Sequence, residues 1–429
     1  MRVFVIGSGA REHALVWKLA YSPSVTHIYA APGNPGMVPY VERVPLTINQ
    51  ATELADFAER KSIDLTIIGP EVPLIEGIVD LFRQRGLHIF GPTKAGAAIE
   101  GSKAFTKELL TEAGIPTANY QTFQDYTQAS HYLEKHGAPV VIKADGNAAG
   151  KGAVVALNME TARTALKEMM VDHVFGVAGD IVVIEDYLAG DEIGITAICN
   201  GTSYLPLPVS QDHKRVSDND KGLNTGGMGV YTPLPFVSQQ QHRQLYDQIV
   251  GGTLQALQRR DIHFSGVLYS NIMLTKQGPV VLEHNARFGD PETQAFVVLL
   301  AEDIMKILAF ADGKSLDTET IWRPGYAVSI TMASGGYPGK YRSGLPITGI
   351  EDANRLDGVQ VFHAGTAMKD GQLVTAGGRV LSVASYAVSL QEALARAYEA
   401  ISYISFEGMH YRRDIARRGI KAQDEFTKG

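Results

Sequence analysis

The stretch Val140-Val141-Ile142-Lys143-Ala144-Asp145-Gly146-Asn147-Ala148-Ala149-Gly150-Lys151-Gly152-Ala153-Val154-Val155 decides how this chain is read. Two short β-branched runs flank a loop that carries three glycines and Lys151, so the segment reads as strand, glycine loop, strand. It departs from the usual phosphate loop on two counts. No Ser or Thr follows Lys151, and the loop joins two strands instead of a strand and a helix. A glycine loop of this kind can fold as a flap whose backbone N–H groups face the oxygens of a triphosphate. Lys143 follows three apolar residues on the first strand, which predicts burial. A buried ammonium is costly unless paired, and phosphate oxygens are a fitting partner. A lysine snorkelling from a strand edge is the plainer alternative.

A second stretch complements the first: Val280-Val281-Leu282-Glu283-His284-Asn285-Ala286-Arg287-Phe288-Gly289-Asp290-Pro291-Glu292. A side-chain period of two puts Glu283 and Asn285 on one face of a strand, and Leu282 and His284 on the other. Two hard oxygen donors side by side suit Mg²⁺, which takes few protein ligands and completes its shell with phosphate and water. Arg287 follows on the same face if the strand continues, as a fork for a carboxylate or phosphate. His284 is expected to pack behind that face. Between the two stretches, Ser210-Gln211-Asp212-His213-Lys214-Arg215 offers an acid for an ammonium and a base for a carboxylate, as an amino acid zwitterion requires. Asn224-Thr225-Gly226-Gly227-Met228-Gly229 spells a backbone anion nest. Exposed loops have similar composition.

Working outward, residues 1–100 alternate short strands (Val3–Ile6, His27–Ala30, Leu65–Ile68, His88–Phe90) with helices near 11–20, 51–61 and 74–85. That rhythm predicts a parallel, doubly wound sheet with ligands at the carboxyl ends of its strands. The first such end, Gly7-Ser8-Gly9-Ala10-Arg11-Glu12-His13, resembles a dinucleotide fingerprint, but Glu12 stands in place of the third glycine. The second strand ends in Ala30-Ala31-Pro32-Gly33-Asn34, without an acid for an adenosine ribose. A nicotinamide cofactor is therefore discounted, and a smaller phosphorylated ligand with Arg11 as charge partner is preferred. A plain tight turn has the same spelling. Beyond Gly91-Pro92, Ser102 caps a helix to about Ala113, with further helices near 127–136 and 160–171 and the strand Ile181–Glu185. Residues 193–290 read as strands around a helix at about 239–259. A third region begins near Arg323-Pro324-Gly325, with strands at 326–333, 359–363, 373–375 and 379–384, a hairpin turn at Asp370-Gly371 and the helix Ser389–Tyr403.

Composition narrows the class. The 429 residues are 45% apolar and 20% charged, ordinary for a folded multidomain protein. The 44 glycines cluster without a period, which points to tight turns. A net charge of −7 argues against a general nucleic-acid binder, and one cysteine, Cys199, excludes an internal disulfide framework. No apolar run is long enough to predict a membrane span, and the N-terminus turns polar too soon for a secretory signal. A cytoplasmic protein without nucleic-acid or membrane partners is expected, as a monomer or weak homodimer.

With these residues in view, the chain resembles the phosphoribosylamine–glycine ligases, a family of the ATP-grasp superfamily. The motifs that carry the resemblance are GSGAREHA, APGN, GPE followed by Pro73-Leu74, EGSKAFTK, VIKADG-x-AAGKG, SQDHKR, NTGGMG, RFGDPETQ, and FHAGT with GGRVL. The resemblance implies an α/β multidomain fold: an N-terminal doubly wound domain (1–100), an ATP-grasp domain (101–322) with a lid at about 120–190, and a small α+β domain (323–429). It implies ligation of glycine to 5-phosphoribosylamine in purine biosynthesis, driven by ATP with Mg²⁺ or Mn²⁺, through a glycyl phosphate. It implies that Lys143 and Lys103 neutralise the transferring phosphoryl group and that the loop Gly146–Gly152, with Gly150 and Lys151, closes over the triphosphate. It places adenine and ribose along Glu185–Leu188 and near Glu192, the metal on Glu283 and Asn285, and the sugar phosphate near Gly9, Arg11, Asn34 and Glu71. Asp212, Lys214 and Arg287 are its candidates for holding glycine, and Arg287 also for catalysis. Three departures from the family pattern stand out: Asn147 for a leucine in the flap, His284 for an aromatic, and the pair Ser270-Asn271 for small residues. Asn271 is expected to add an oxygen near the metal.

Overall fold

A computed structural model describes residues 1–146, 152–316 and 321–428. Its first unit is a five-stranded parallel sheet in the order Glu42–Arg43, His27–Pro32, Arg2–Gly7, Leu65–Ile68, Ile89–Phe90. The chain leaves the central strand Arg2–Gly7 to one side first and to the other later, so the crevice expected of a doubly wound sheet opens beyond Gly7 and Gly69. Two details differ from the sequence reading. The short, exposed edge strand Glu42–Arg43 has no apolar run to announce it. The helix read at 74–85 is two helices, Glu71–Glu76 and Ile78–Gln84, because Gly77 between them has φ 96°, a left-handed turn suited to glycine.

An unforeseen helix, Lys94–Gly101, precedes the expected one, Lys103–Glu112. They meet at Ser102, which is extended and caps the second helix by accepting from the Phe105 N–H at 3.0 Å. That corner sets Glu100 and Lys103 on either side of one break. Tyr120–Phe123, Val182–Asp186, Val140–Ala144 and Ala153–Ala156 then form a four-stranded antiparallel sheet. The helices Tyr126–His136 and Met159–Met170 cover it, sharing their own core of Leu133, Ile142, Leu166, Met169 and Ile184.

A second antiparallel sheet has the order Ser203–Pro206, Asp191–Asn200, Ser265–Thr275, Gly278–Asn285. The helix expected near 239–259 is present, with a wider turn at Tyr246–Gly251. The third large sheet reaches back across the chain. Its strands Tyr326–Ala333, Arg379–Ala387 and Val359–His363 are joined by Gly229–Thr232 and Gln211–Asp212 from the central region. The loops on either side of Asp212 are thus held by strand pairing with the last region.

The first turn is occupied by the chain itself. Glu12 folds back so that its Oε2 accepts from the Gly9 N–H at 2.6 Å, and its Oε1 pairs with Arg11 Nε at 2.6 Å. Gly69 makes room for this carboxylate, since a Cβ there would lie 1.9 Å from Glu12 Oε1. Gly69→Ala is expected to cost about 1–3 kcal/mol through this overpacking. Urea unfolding measures it, and an unchanged midpoint would show that Glu12 does not fill that space.

Candidate functional site

The four-stranded sheet that contains Val140–Ala144, the second antiparallel sheet and the helices Glu71–Glu76, Lys94–Gly101 and Lys103–Glu112 enclose a cavity of about 620 Å³. Lys143 enters it from the strand Val140–Ala144, almost wholly buried. Its Nζ lies 3.0 Å from Glu185 Oε1 and donates to the Leu282 carbonyl at 3.1 Å. The other carboxylate oxygen of Glu185 lies 3.0 Å from Nζ of Lys107, a residue the sequence reading passed over. Lys107 is one helical turn beyond Lys103 on Lys103–Glu112, and that i, i+4 spacing was the available signal. Burial pulls Lys107 down to about 8 against Glu185, whereas for Lys143 the pull of burial is outweighed by Glu185 and Glu283, which hold the ammonium charged. Lys103 is pulled down by burial, opposed by Glu283, and its Nζ donates to the Gly146 carbonyl at 3.2 Å. Gly152 and Leu188 also line this space. Asn147, Gly150 and Lys151 lie outside the described residues.

Across the cavity, the strand Gly278–Asn285 presents Glu283 and Asn285 on one face, as its period requires. Burial opposes ionisation of Glu283, but Lys143, Lys214 and Lys103 outweigh it and keep the carboxyl below its ordinary range. None of these lysines makes an ion pair with Glu283 among the described residues, so the carboxylate keeps space in front of it. Nor do three His, Cys, Asp or Glu side chains gather anywhere among those residues as a cluster able to hold a metal. The carboxylate of Glu283 beside the amide of Asn285 is a pair of hard oxygen donors that fits a divalent cation drawing its remaining ligands from phosphate and water. His284 also borders the cavity, but its ring is taken up by neighbours, with Nδ1 2.8 Å from Ser270 Oγ and Nε2 3.1 Å from Thr253 Oγ1, and burial lowers it to about 4. It is a neutral packing residue, as expected.

Three expectations are corrected here. Asn271 points its amide nitrogen, not its oxygen, at Glu283, with Nδ2 donating to Glu283 Oε1 at 2.8 Å, because an ionised carboxylate can only accept. Arg287 is not a free fork: the strand ends at Asn285, and the guanidinium is taken by Glu100 at 3.0 Å, Glu71 at 3.6 Å and Asn285 Oδ1 at 3.2 Å. The Gly226 and Gly227 N–H groups, read as an anion nest, donate to Tyr337 Oη and Thr225 Oγ1. Arg379 of the last region locks that loop by donating to the Gly226 carbonyl at 2.7 Å and pairing with Asp290 at 3.0 Å. Asp212 and Lys214 do line the cavity, paired with each other at 2.7 Å.

Family models match most of the chain: the N domain of phosphoribosylglycinamide synthetase over residues 1–100, its ATP-grasp (A) domain over 101–293 and its C domain over 327–418. The chain belongs to the phosphoribosylglycinamide synthetase family. It is 47% identical over 424 residues to a phosphoribosylamine–glycine ligase of Pseudomonas aeruginosa, with 98% of each chain covered. A protein of that name from Escherichia coli is 45% identical, with 99% of this chain and 100% of the relative covered. The crystal structure of a phosphoribosylamine–glycine ligase from Thermotoga maritima superposes with a TM-score of 0.81 at 33% identity, covering 97% of this chain and all of that one. The biotin carboxylase domain of a Hydrogenobacter thermophilus 2-oxoglutarate carboxylase shares the fold at 18% identity, with a TM-score of 0.74 over 95% of this chain and 91% of that one.

Within this phosphoribosylglycinamide synthetase fold, the first-domain candidates divide. Glu71 lines the cavity, held ionised by Arg287 and Arg11 against its burial. Gly9, Arg11 and Asn34 do not line it. The Gly9 N–H and the Arg11 guanidinium serve Glu12 and the Phe288 carbonyl. Asn34 Nδ2 is spent on the Ser8 and His363 carbonyls. The anion expected at that turn is Glu12's own carboxylate.

Glu192 sits beside Lys214 and Glu283, and burial pushes it up to about 7 from an ordinary 4.5 although Lys214 pulls the other way. Between those values the folded protein keeps a proton that the unfolded chain has lost, so this group makes stability fall as pH rises through the window. Glu192→Gln removes the effect, and its stability relative to the parent should improve between about pH 5 and about pH 7.5 in urea unfolding. A difference that does not change with pH would place the ionisation elsewhere.

Proposed function

We propose that this chain joins glycine to 5-phosphoribosylamine at the expense of ATP, forming glycinamide ribonucleotide, ADP and phosphate in purine biosynthesis. The observation that carries the reading is the convergence of Lys143, Lys103 and Lys107 on one side of a cavity with Glu283 and Asn285 facing them. Membership of the family supplies the substrates. Glycine's carboxylate is a poor electrophile, so one of its oxygens first attacks the γ-phosphorus of ATP, the bond to ADP breaks, and glycyl phosphate forms. The ribosylamine nitrogen then attacks the acyl carbon, phosphate leaves with the former carboxylate oxygen, and the nitrogen gives up a proton.

Each group has a place in this sequence. Lys143 and Lys103 are preorganised to neutralise charge on the transferring phosphoryl group. Glu283 and Asn285 would hold Mg²⁺, or Mn²⁺ in its place, whose chemistry is to neutralise phosphate oxygens. The backbone of Glu185–Leu188 and the carboxyl of Glu192 are assigned to adenine and ribose, and Gly152 to the base of the flap. The pair Asp212–Lys214 is of the right chemistry to open around a zwitterion, Asp212 taking the ammonium and Lys214 the carboxylate. Arg287, already committed to Glu71 and Glu100, orients those carboxylates at the end assigned to the ribosylamine and does not hold glycine itself. The divisions at residues 100 and 322, with a lid at about 120–190, are the working units of the proposal.

An ADP-release assay should require glycine and phosphoribosylamine together, and turnover with another amino acid or amine would contradict the substrate assignment. Lys143→Met should remain folded and lose at least ~10²-fold in kcat, the scale of one preorganised charge contact. Near-normal kcat removes the phosphoryl role. Glycine labelled with ¹⁸O in its carboxylate should pass one label to the released phosphate; unlabelled phosphate would exclude the acyl phosphate.

A further inference from the structure

The strand Ser265–Thr275 runs antiparallel to Gly278–Asn285, with Ser270 opposite His284 and Asn271 opposite Glu283. Ser270 and Asn271 therefore face His284 and Glu283 across a strand pair. Ser270 satisfies the His284 ring, and Asn271 holds Glu283. The amide of Asn271 is itself held: its Oδ1 lies 2.7 Å from the Tyr269 hydroxyl, which lies 2.6 Å from Glu292 Oε1. Tyr269 and Asn271 are both buried, and Gly194 on the neighbouring strand leaves space for the tyrosine ring, which a Cβ would approach to 2.7 Å. Among the described residues, Glu283 Oε2 receives no hydrogen bond, and the carboxylate lines the cavity.

We propose that Asn271 is a positioning residue that pins Glu283 Oε1 and leaves Oε2 as the one oxygen presented to a cation, so that the site favours a small ion bound through a single carboxylate oxygen. This rests on Glu283 being a metal ligand. Mg²⁺ demands a tight octahedral shell at about 2.0–2.1 Å, whereas Ca²⁺ accepts bidentate carboxylates at about 2.3–2.6 Å. The hydrogen bond from Asn271 fixes the carboxylate and draws on one lone pair of Oε1, which disfavours chelation through both oxygens relative to binding through Oε2. Asn271 is not itself a ligand, since its oxygen is turned to Tyr269.

The test is Mn²⁺ binding to the full chain in the presence of ADP, followed by the electron paramagnetic resonance signal of free Mn²⁺, with displacement by Mg²⁺ or Ca²⁺. In Asn271→Ala, Mg²⁺ affinity should fall about 10- to 100-fold, the usual consequence of losing a partner behind a ligand. Ca²⁺ affinity should fall less or rise, so the Ca²⁺/Mg²⁺ affinity ratio increases. Tyr269→Phe keeps the ring and should move the ratio the same way by a smaller factor. A packing role for Asn271 would lower both metals equally or shift only the thermal midpoint, and an unchanged ratio in both variants overturns the proposal. If the unsubstituted chain with ADP takes up no Mn²⁺, the metal assignment to Glu283 fails first and this inference with it.

Discussion

Glu185 sits between two ammonium groups, Lys107 and Lys143, each 3.0 Å from one of its oxygens, and all three side chains are at least nine-tenths buried. Burying three charges is costly, and well-packed apolar residues of similar volume often serve stability as well or better. The arrangement makes physical sense as a prepared site for a polyanion. One carboxylate balances two cations, leaving net positive charge where phosphate oxygens would arrive. Loss of either lysine leaves Glu185 paired with the other, whereas loss of Glu185 would leave two buried ammonium groups without their shared counter-charge.

This interaction also ties a helix to a sheet. Lys107 belongs to the helix Lys103–Glu112, and Glu185 and Lys143 to adjacent strands of one four-stranded sheet. The same helix places Lys103 against the Gly146 carbonyl. On the far side, the pairing of Ser265–Thr275 with Gly278–Asn285 sets Glu283 and Asn285 toward the lysines. The last region contributes less directly. Arg379 and Tyr337 fix the glycine loop at 226–227, and Arg418 reaches the cavity wall, paired with Asp191 at 3.1 Å and Asp220 at 3.0 Å.

Features with a local cause were legible in the sequence. Strand period alone put Glu283 and Asn285 on one face, and three apolar residues before Lys143 foretold its burial. Ser102 announced its helix as a cap, whereas Ser389, read as the first helical residue, caps the helix Leu390–Tyr403. What escaped depended on partners far along the chain. Arg287 looked free because Glu71 and Glu100 are distant in sequence, and nothing local but its spacing from Lys103 singles out Lys107, whose partner Glu185 lies 78 residues on. The strand Gly229–Thr232 pairs with Tyr326–Ala333, a register that no local pattern reveals. At the first turn the decisive partner is close in sequence. The glycines do form an anion-accepting corner, but Glu12, three residues past Gly9, is close enough to fill it.

The central claim is that one cavity gathers the groups acting on a metal-bound nucleotide, and a crystal structure with a Mg²⁺-bound, non-hydrolysable ATP analogue tests it most directly. The account predicts the terminal phosphates within hydrogen-bond reach of Lys143 and Lys103, the cation on Glu283 and Asn285, and the adenine against 185–188. A nucleotide bound elsewhere, or a cation held by other side chains while these remain paired only with one another, would contradict it.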